Sequence, residues 1–348
     1  MSVKSRTRTW SASIIVVATV LVGGTTPHGQ RTLEQPQRQA QRDGQNQPAG
    51  RQSQDGSAAG DISKAQFDRW MTQLSNWGRW GKEDQLGALN LITAAKRQQA
   101  AALVKTGTTV SLSRPLALGK DANTSRAINT GGSLNNMFFI NAAAEWIMER
   151  HEIEYHGGRL THLDALCHVA YNGKVYNGRS FNEVATLEGG CPALGVAALK
   201  NGIVTRGILV DLPGKSVQRG DIEAWEKQAA IKIGPGDALL LRTGRIPGQE
   251  TRSGNAGYHP SLAPFFKERD IALLGSDVAQ EGGTVAGVSI PIHRFALVAL
   301  GVHLLDNLDL QGLAETATRL KRWEFLLVTA PLAVSNGAGS AVNPIAVF

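Results

Sequence analysis

The chain has 348 residues, of which 42% are hydrophobic and 19% are charged. This composition excludes global disorder, collagen, a coiled coil and a membrane protein with several spans. The formal net charge is +7, but residues 1–60 hold seven Lys or Arg and only three acidic residues. The rest of the chain therefore lacks the basic face that a nucleic-acid-binding domain needs, and no nucleic-acid partner is expected.

The N-terminal residues are typical of an export signal. Lys4, Arg6 and Arg8 precede an apolar run of 11 residues from Ala12 to Val22. A membrane-spanning helix needs about 20 apolar residues, whereas the apolar part of a signal peptide needs about 7–15. The pattern predicts a signal peptide at residues 1–27 and export to the periplasm or the extracellular space. An uncleaved N-terminal anchor is the open alternative, and stable membrane insertion is expected only in that case.

The next segment, residues 28–60, is rich in Gln, Gly and Arg and contains almost no large apolar side chains. Such a segment cannot bury enough surface to offset the entropy that it would lose on ordering. We predict a disordered linker at residues 28–60 and one folded domain at residues 61–348.

Within the folded part, hydrophobic spacing predicts helices and short strands. Phe67, Trp70, Met71 and Leu74 follow the three-four spacing of an amphipathic helix. The predicted helices are 64–74, 93–105, 221–230, 261–269 and 292–300. The predicted strands are 108–113, 202–211, 238–243, 271–276 and 325–330. The pattern indicates no regular alternation of strand and helix, so one mixed α/β domain with a mixed sheet and flanking helices is the simplest architecture.

Candidate chemical groups are concentrated between His151 and His168, a stretch that contains four of the eight histidines. His162 and Asp164 are two residues apart, so on an extended strand both side chains leave the same face. An imidazole and a carboxylate placed in this way can bind one divalent ion such as Zn or Mn. His168 lies four residues later and is a candidate proton carrier near neutral pH. A chance coincidence of structural histidines is the less favoured alternative.

A second group consists of His293, which opens an apolar helical stretch, and Asp306, which closes an apolar strand-like stretch. A histidine and an acid at the ends of two buried elements can converge on one pocket. Taken alone, the pair fits a helix start and a turn cap beside Asn307 better. Taken together with the histidine cluster, it favours a functional site.

The segment 161–168 reads Thr-His-Leu-Asp-Ala-Leu-Cys-His. It resembles the H-x-G-T-H-x-D-x-x-x-H motif of the metal-dependent cyclase family of hydrolases, which includes kynurenine formamidase (arylformamidase) and isatin hydrolase. Sequence similar to that of the family continues at 173–178, 206–211, 236–244 and 337–346. Residues 77–90 resemble the longer members of the family. The resemblance implies a single cyclase-like domain of the swivelling β/β/α type, with a mixed sheet or barrel and flanking helices.

The resemblance also implies roles for individual residues. The implied metal ligands are His162, Asp164, His293 and Asp306, and the implied general acid/base is His168. The first histidine of the family motif would stand at Gly158, and His156, two residues earlier, is expected to replace it. Because the family usually has Glu at the position of Asp306, one or two ions of Zn or Mn are expected.

Three residues are candidates for substrate binding, namely Trp80, Tyr176 and Asn177. Ordinary packing and turn formation explain each of them at least as well. Cys167 lies inside the motif and could bind metal or act as a nucleophile beside His168. Neighbours on a strand point to opposite faces, which argues against the nucleophile. Pairing of Cys167 with Cys191 is compatible with export, although spacing alone does not establish it.

The implied activity is hydrolysis of an amide, cyclic amide or formamide by a metal-activated water, with a histidine as general acid/base. The enzyme would act on C–N bonds other than peptide bonds, as an arylformamidase does. One alternative is a lactone or ester hydrolase of the same fold. The other is an exported binding protein whose metal site has decayed. The expected partners are a small-molecule substrate and further copies of the chain, in a homodimer or a larger assembly.

Overall fold

The structure, a computed structural model, describes residues 62–114, 133–140, 145–156, 160–244 and 255–348. The predicted signal peptide, the predicted linker and Gly158 lie outside these residues. The described residues fall within one compact unit, Ser57–Phe348. None of the helices in the described part of the chain has the length and apolar character that a membrane span requires.

Thirteen strands are present in the described residues. They are β1 (Thr109–Ser111), β2 (Ser133–Ile140), β3 (Ile147–Glu154), β4 (His162–Asp164), β5 (Ile203–Asp211), β6 (Ser216–Val217), β7 (Ala238–Arg242), β8 (Gly257–Tyr258), β9 (Leu273–Ser276), β10 (His303–Asp306), β11 (Glu324–Thr329), β12 (Gly339–Ala341) and β13 (Ile345–Val347). Nine of them form one mixed sheet in the order β1-β13-β11-β5-β7-β9-β10-β4-β12. The β2–β3 hairpin and the β6–β8 pair are separate two-stranded sheets.

The helices flank this sheet. They are α1 (Lys64–Gln73), α2 (Ala94–Ala101), α3 (Phe181–Val184), α4 (Arg219–Ala229), α5 (Ala263–Glu268), α6 (Pro291–His293) and α7 (Gln311–Leu320). Short 3₁₀ helices occupy Gly87–Leu91, Tyr176–Gly178, Val196–Leu199 and Pro260–Leu262, and α6 continues as a π-helix over Arg294–Leu300. Each predicted helix and strand is found at its predicted place, in most cases a few residues shorter. The mixed α/β fold class is therefore confirmed.

The middle of the chain does alternate strand and helix, and the expectation of no regular alternation is wrong there. β5, β7, β9 and β10 are parallel neighbours in the sheet. Parallel strands need crossover connections, which α4, α5 and α6 with its π-helix provide. The very short strands β6 and β8 interrupt this repeat, so the sequence pattern does not display it.

Residues 76–88 close the C-terminal end of the π-helix. A helix end leaves carbonyl groups without partners inside the helix. Four of them accept hydrogen bonds from this segment: Val298 O from Trp77 Nε1 (2.7 Å), Ala299 O from Asn76 N (2.9 Å), Leu300 O from Asn76 Nδ2 (2.9 Å) and Gly301 O from Ala88 N (2.8 Å). The π-helix Arg294–Leu300 is thereby fixed to the N-terminal part of the domain.

Candidate metal centre

Strand β4 carries His162 and Asp164 into the interior of the domain. It lies between β10 and β12 and is antiparallel to both. Asp306 on β10 is the direct partner of His162, so the sheet register brings the second predicted group to the first. His162 Nε2 lies 3.4 Å from Asp164 Oδ1, which places the two side chains together as their spacing predicts.

The first group of ligand-type side chains, the His156 trio, consists of His156, His162 and Asp164. One ligand atom of each lies within 4.8 Å of the others. His156 follows the β2–β3 hairpin directly, and its Nδ1 atom lies 3.2 Å from Asp164 Oδ1. Gly339 makes room for this imidazole, because a Cβ at that position would lie 3.0 Å from His156 Cε1. The histidine that the resemblance offered as a replacement is therefore close to the predicted ligands.

The second group, the His293 trio, consists of Asp164, His293 and Asp306, whose ligand atoms also lie within 4.8 Å of one another. His293 Nε2 is 3.1 Å from Asp306 Oδ2 and 3.7 Å from Asp164 Oδ2. Asp164 belongs to both trios. The shorter Asp306 side chain thus reaches the centre in a position where the resembling family usually has Glu.

The buried atoms of the centre fit a divalent cation. Both carboxylate oxygens of Asp164 and both ring nitrogens of His156 are buried without a hydrogen-bond partner. A buried carboxylate in this condition is costly unless a cation or several donors compensate it. Imidazole and carboxylate groups are ligands that suit Zn or Mn. The sequence-predicted metal ligands therefore lie together as a set of donor atoms that fits a divalent ion.

The family-level comparison agrees with this geometry. The family model described as a putative cyclase matches residues 110–280. A solved structure described as a novel cyclase is 28% identical in sequence, covers 79% of this chain and 100% of its own, and superposes with a TM-score of 0.67. Over residues 110–280 this chain is similar to the cyclase family. No curated protein matches the sequence.

More distant solved structures also align with this chain. An isatin hydrolase bound to the product analogue thioisatinate is 18% identical, with 74% of this chain and 97% of its own covered and a TM-score of 0.47. A potential metal-dependent hydrolase with cyclase activity is 14% identical, with 69% and 98% covered and a TM-score of 0.42. Likenesses of this size carry no information about activity.

His168 stands at the more exposed side of the candidate metal centre, which is formed by the two trios. Its ring stacks on that of His156, with centroids 3.9 Å apart and planes 9° from parallel. His168 Nε2 lies 4.0 Å from Asp164 Oδ2, and its side chain is 26% exposed. Burial and the neighbouring histidines lower the pKa of His168, although Asp164 opposes them. The imidazole is therefore mainly neutral at pH 7 and able to accept a proton.

In the centre, burial and neighbouring charges shift the pKa values of Asp164 and His293 in opposite directions. Burial alone would raise the pKa of Asp164, but His156, His168, His162 and His293 hold it below its usual value. Burial alone would lower the pKa of His293, yet the nearby carboxylates of Asp306 and Glu281 raise it well above its usual value. Asp164 therefore stays ionised, and a carboxylate is a group that a divalent ion can bind.

Further contacts orient the candidate ligands from outside. His162 Nδ1 lies 2.7 Å from Leu160 O, which leaves Nε2 to face Asp164. Gln280 and Glu281, which the sequence analysis missed, contact Asp306 and His293 in the same way. They lie in the loop after β9, outside any motif or periodic element, so no signal in the sequence marked them.

The three candidate substrate-binding residues have partners within the protein. The buried Tyr176 donates its hydroxyl to Asp84 Oδ2 (3.1 Å). The Asn177 amide donates to Gly81 O and Lys82 O and accepts from Gly78 N. Trp80 lies beneath the Arg79 guanidinium, 4.8 Å from the ring centroid. These contacts bind residues 78–84 to the 3₁₀ helix Tyr176–Gly178 and favour a structural role for all three.

Cys167 and Cys191 form a disulfide bond. Cys167 is therefore not available as a nucleophile or a thiolate ligand in this state. Its backbone N–H also donates to Leu194 O (3.2 Å), and Cys191 N donates to Asn336 O (2.7 Å). The bridge thus fixes Cys167, which precedes His168, to the segment around Cys191.

We expect the double variant Cys167→Ala/Cys191→Ala to unfold more easily than the parent chain. The bridge closes a loop with a sequence separation of 24, and a loop of this length contributes about 3 kcal/mol to the free energy of unfolding. Denaturant unfolding with and without a thiol reductant measures the effect. The reductant should destabilise the parent and leave the stability of the double variant unchanged. Equal stability of the two proteins without reductant would contradict the prediction.

Proposed function

We propose that this chain is a metal-dependent hydrolase of the cyclase family that opens an amide, cyclic amide or formamide bond. The observation that carries the proposal is Asp164, a buried carboxylate shared by two trios of ligand-type side chains, whose two oxygens lack hydrogen-bond partners. The C–N bond as the point of attack comes from the sequence resemblance to arylformamidases and isatin hydrolases.

One or two ions of Zn or Mn are proposed. The His156 trio would hold one ion, and the His293 trio would hold the other, with Asp164 common to both. A divalent ion bound there supplies a Lewis acid that polarises a carbonyl group and lowers the pKa of a water molecule.

The chain's own contribution to the chemistry is proton transfer by His168. Its neutral Nε2 accepts a proton from the attacking water and returns it to the departing nitrogen. Stacking on His156 fixes the plane of the imidazole, so that Nε2 stays 4.0 Å from Asp164 Oδ2. The other members of the centre, His162, His293 and Asp306, are more deeply buried than this pair.

Export is part of the proposal. The Cys167–Cys191 disulfide supports it, because disulfides persist in oxidising compartments outside the cytosol. Assembly into a homodimer or a larger oligomer remains a prediction. Size-exclusion chromatography with light scattering tests the assembly, and the N-terminal sequence of secreted protein tests the export signal.

The proposed function is tested by metal content and by turnover of matched substrates. Protein purified without chelator should hold one or two Zn or Mn ions per chain, and the His162→Ala variant should lose the ion that the His156 trio would hold. A His151→Ala variant is the matched control, because His151 lies on β3 outside both trios. A formanilide and a cyclic amide should be hydrolysed, with activity lost on chelation and restored by the ion.

Two outcomes would contradict this proposal. Turnover of a lactone or an ester without turnover of either amide would favour the ester hydrolase. Absence of metal, with none taken up on addition, would favour a binding protein on a hydrolase fold.

A further inference from the structure

Two adjacent residues in the loop after β9, Gln280 and Glu281, contact the His293 trio from outside. Gln280 reaches Asp306, and Glu281 reaches His293. We propose that Gln280 and Glu281 are positioning residues, which hold Asp306 and His293 in the orientation that binds an ion together with Asp164. The inference rests on the proposed metal centre.

Glu281 accepts three hydrogen bonds, two from His293 and one from the residue before it. Its Oε1 atom accepts from His293 Nδ1 (2.8 Å) and from the backbone N–H of His293 (3.1 Å), and its Oε2 atom accepts from Ile292 N (3.1 Å). The two backbone donors belong to the first turn of α6, where N–H groups have no partner inside the helix. Because ring and backbone are held by one carboxylate, His293 Nε2 is directed at Asp306 and Asp164.

Gln280 fixes Asp306 in a complementary way. Its fully buried amide donates from Nε2 to Asp306 Oδ1 (2.7 Å) and to Leu305 O (2.9 Å). Both partners are acceptors, so the opposite orientation of the amide would place oxygen against oxygen. With Oδ1 held by Gln280, the second oxygen of Asp306 is left 3.1 Å from His293 Nε2.

The backbone explains how two sequence neighbours reach two different ligands. Gln280 has a left-handed conformation, with φ at 51°. A residue with a side chain adopts this conformation only where the surroundings impose it. Here Gln280 O accepts from Tyr258 N (2.8 Å), and a Cβ on Gly257 would lie 2.7 Å from the same oxygen. Strand β8 therefore packs against the turn and fixes it.

Outer partners of this kind set the orientation and basicity of a metal ligand, and their removal typically costs about 10–100-fold in metal affinity. The expected loss is confined to the His293 trio, because Gln280 and Glu281 contact neither His156 nor His162 in any hydrogen bond of the described residues. Binding by the His156 trio should be unaffected.

The experiment is a calorimetric titration of the full chain, stripped of metal, with Mn²⁺ alone. The Glu281→Ala variant should bind one Mn²⁺ about 10–100-fold more weakly than the parent. The Glu281→Gln variant keeps an acceptor oxygen for His293 Nδ1 and should restore most of the affinity. Circular dichroism in chelator shows whether each variant is folded. Should Glu281→Ala fail to fold, Gln280→Met, which removes the donor to Asp306, tests the other half of the inference.

The outcomes separate this inference from the proposed function. Unchanged Mn²⁺ affinity in folded Glu281→Ala and Gln280→Met would overturn the positioning role and leave the metal centre standing. An equal loss in Glu281→Gln and Glu281→Ala would also overturn positioning, since the Gln variant keeps the acceptor. Failure of the parent chain to bind Mn²⁺ or Zn²⁺ at all would overturn the proposed function, and the inference with it.

Discussion

Replacing Asp164 with Asn should empty both trios of metal at once. Asp164 is the side chain that they share, and Asn removes its charge while keeping its size. We expect the metal content to fall to background and hydrolysis to fall at least about a thousandfold, since the ion supplies several kcal/mol of transition-state stabilisation. Metal analysis and initial rates on the same preparation measure both effects.

Thermal unfolding separates loss of metal from loss of fold in this variant. Without metal, the variant should be less stable than the metal-free parent, because the four histidines that lower the pKa of Asp164 favour an ionised carboxylate over a neutral amide. Added Zn²⁺ or Mn²⁺ should raise the Tm of the parent only, because only the parent binds the ion. Asp68→Asn, on α1, is the matched control. Full metal content in the Asp164→Asn variant would refute the assignment.

Replacing His168 with Gln should remove turnover but leave the metal bound. His168 is in neither trio, so the ion should remain bound. Gln cannot carry a proton, and loss of a general acid/base typically lowers the rate by about 10²–10⁴-fold. We expect the loss in kcat, with KM little changed.

Parallel measurement of His151→Gln controls for the removal of a histidine elsewhere in the chain. If the His168→Gln variant lost its metal, His168 would be a ligand and not the proton carrier. If kcat were unchanged, another group would have to move the proton.

The inner part of the centre could be predicted because its chemistry leaves short-range signals. His162 and Asp164 are two residues apart on a strand, and this spacing alone places them together. For His293 and Asp306, the sequence offered two element ends that could converge on one pocket, and the resemblance implied that both bind metal. Their meeting with β4 depends on the antiparallel register of β10, in which Asp306 is opposite His162. No local pattern contains that register.

The surroundings of the centre could not be predicted. Gln280 and Glu281 act through a left-handed turn imposed by Gly257 and Tyr258, so their roles follow from tertiary packing. Tyr176 and Asn177 were candidates for substrate binding, with packing and turn formation as equally good explanations. Their polar atoms bind the segment that packs on the π-helix, a contact that no local pattern in the sequence contains.

The sequence analysis missed both short and long elements of the fold. Three-residue strands such as β4 and β12 are too short to show periodicity, and the sequence analysis placed no strand at β12. Helix α7 was also missed, although Leu313, Ala314 and Ala317 are buried at helical spacing. The order of strands in the sheet is a matter of non-local pairing, which single-sequence patterns do not encode.

The position of β4 between β10 and β12 also determines when the centre can form during biosynthesis. Translation makes His162 and Asp164 well before the strands that enclose them, and the last of these ends at Ala341. A partly synthesised chain therefore exposes the motif without its neighbours, His293 and Asp306 included. All the donors of the two trios exist only after Asp306 has emerged, and strand β12, which pairs with β4, follows later still.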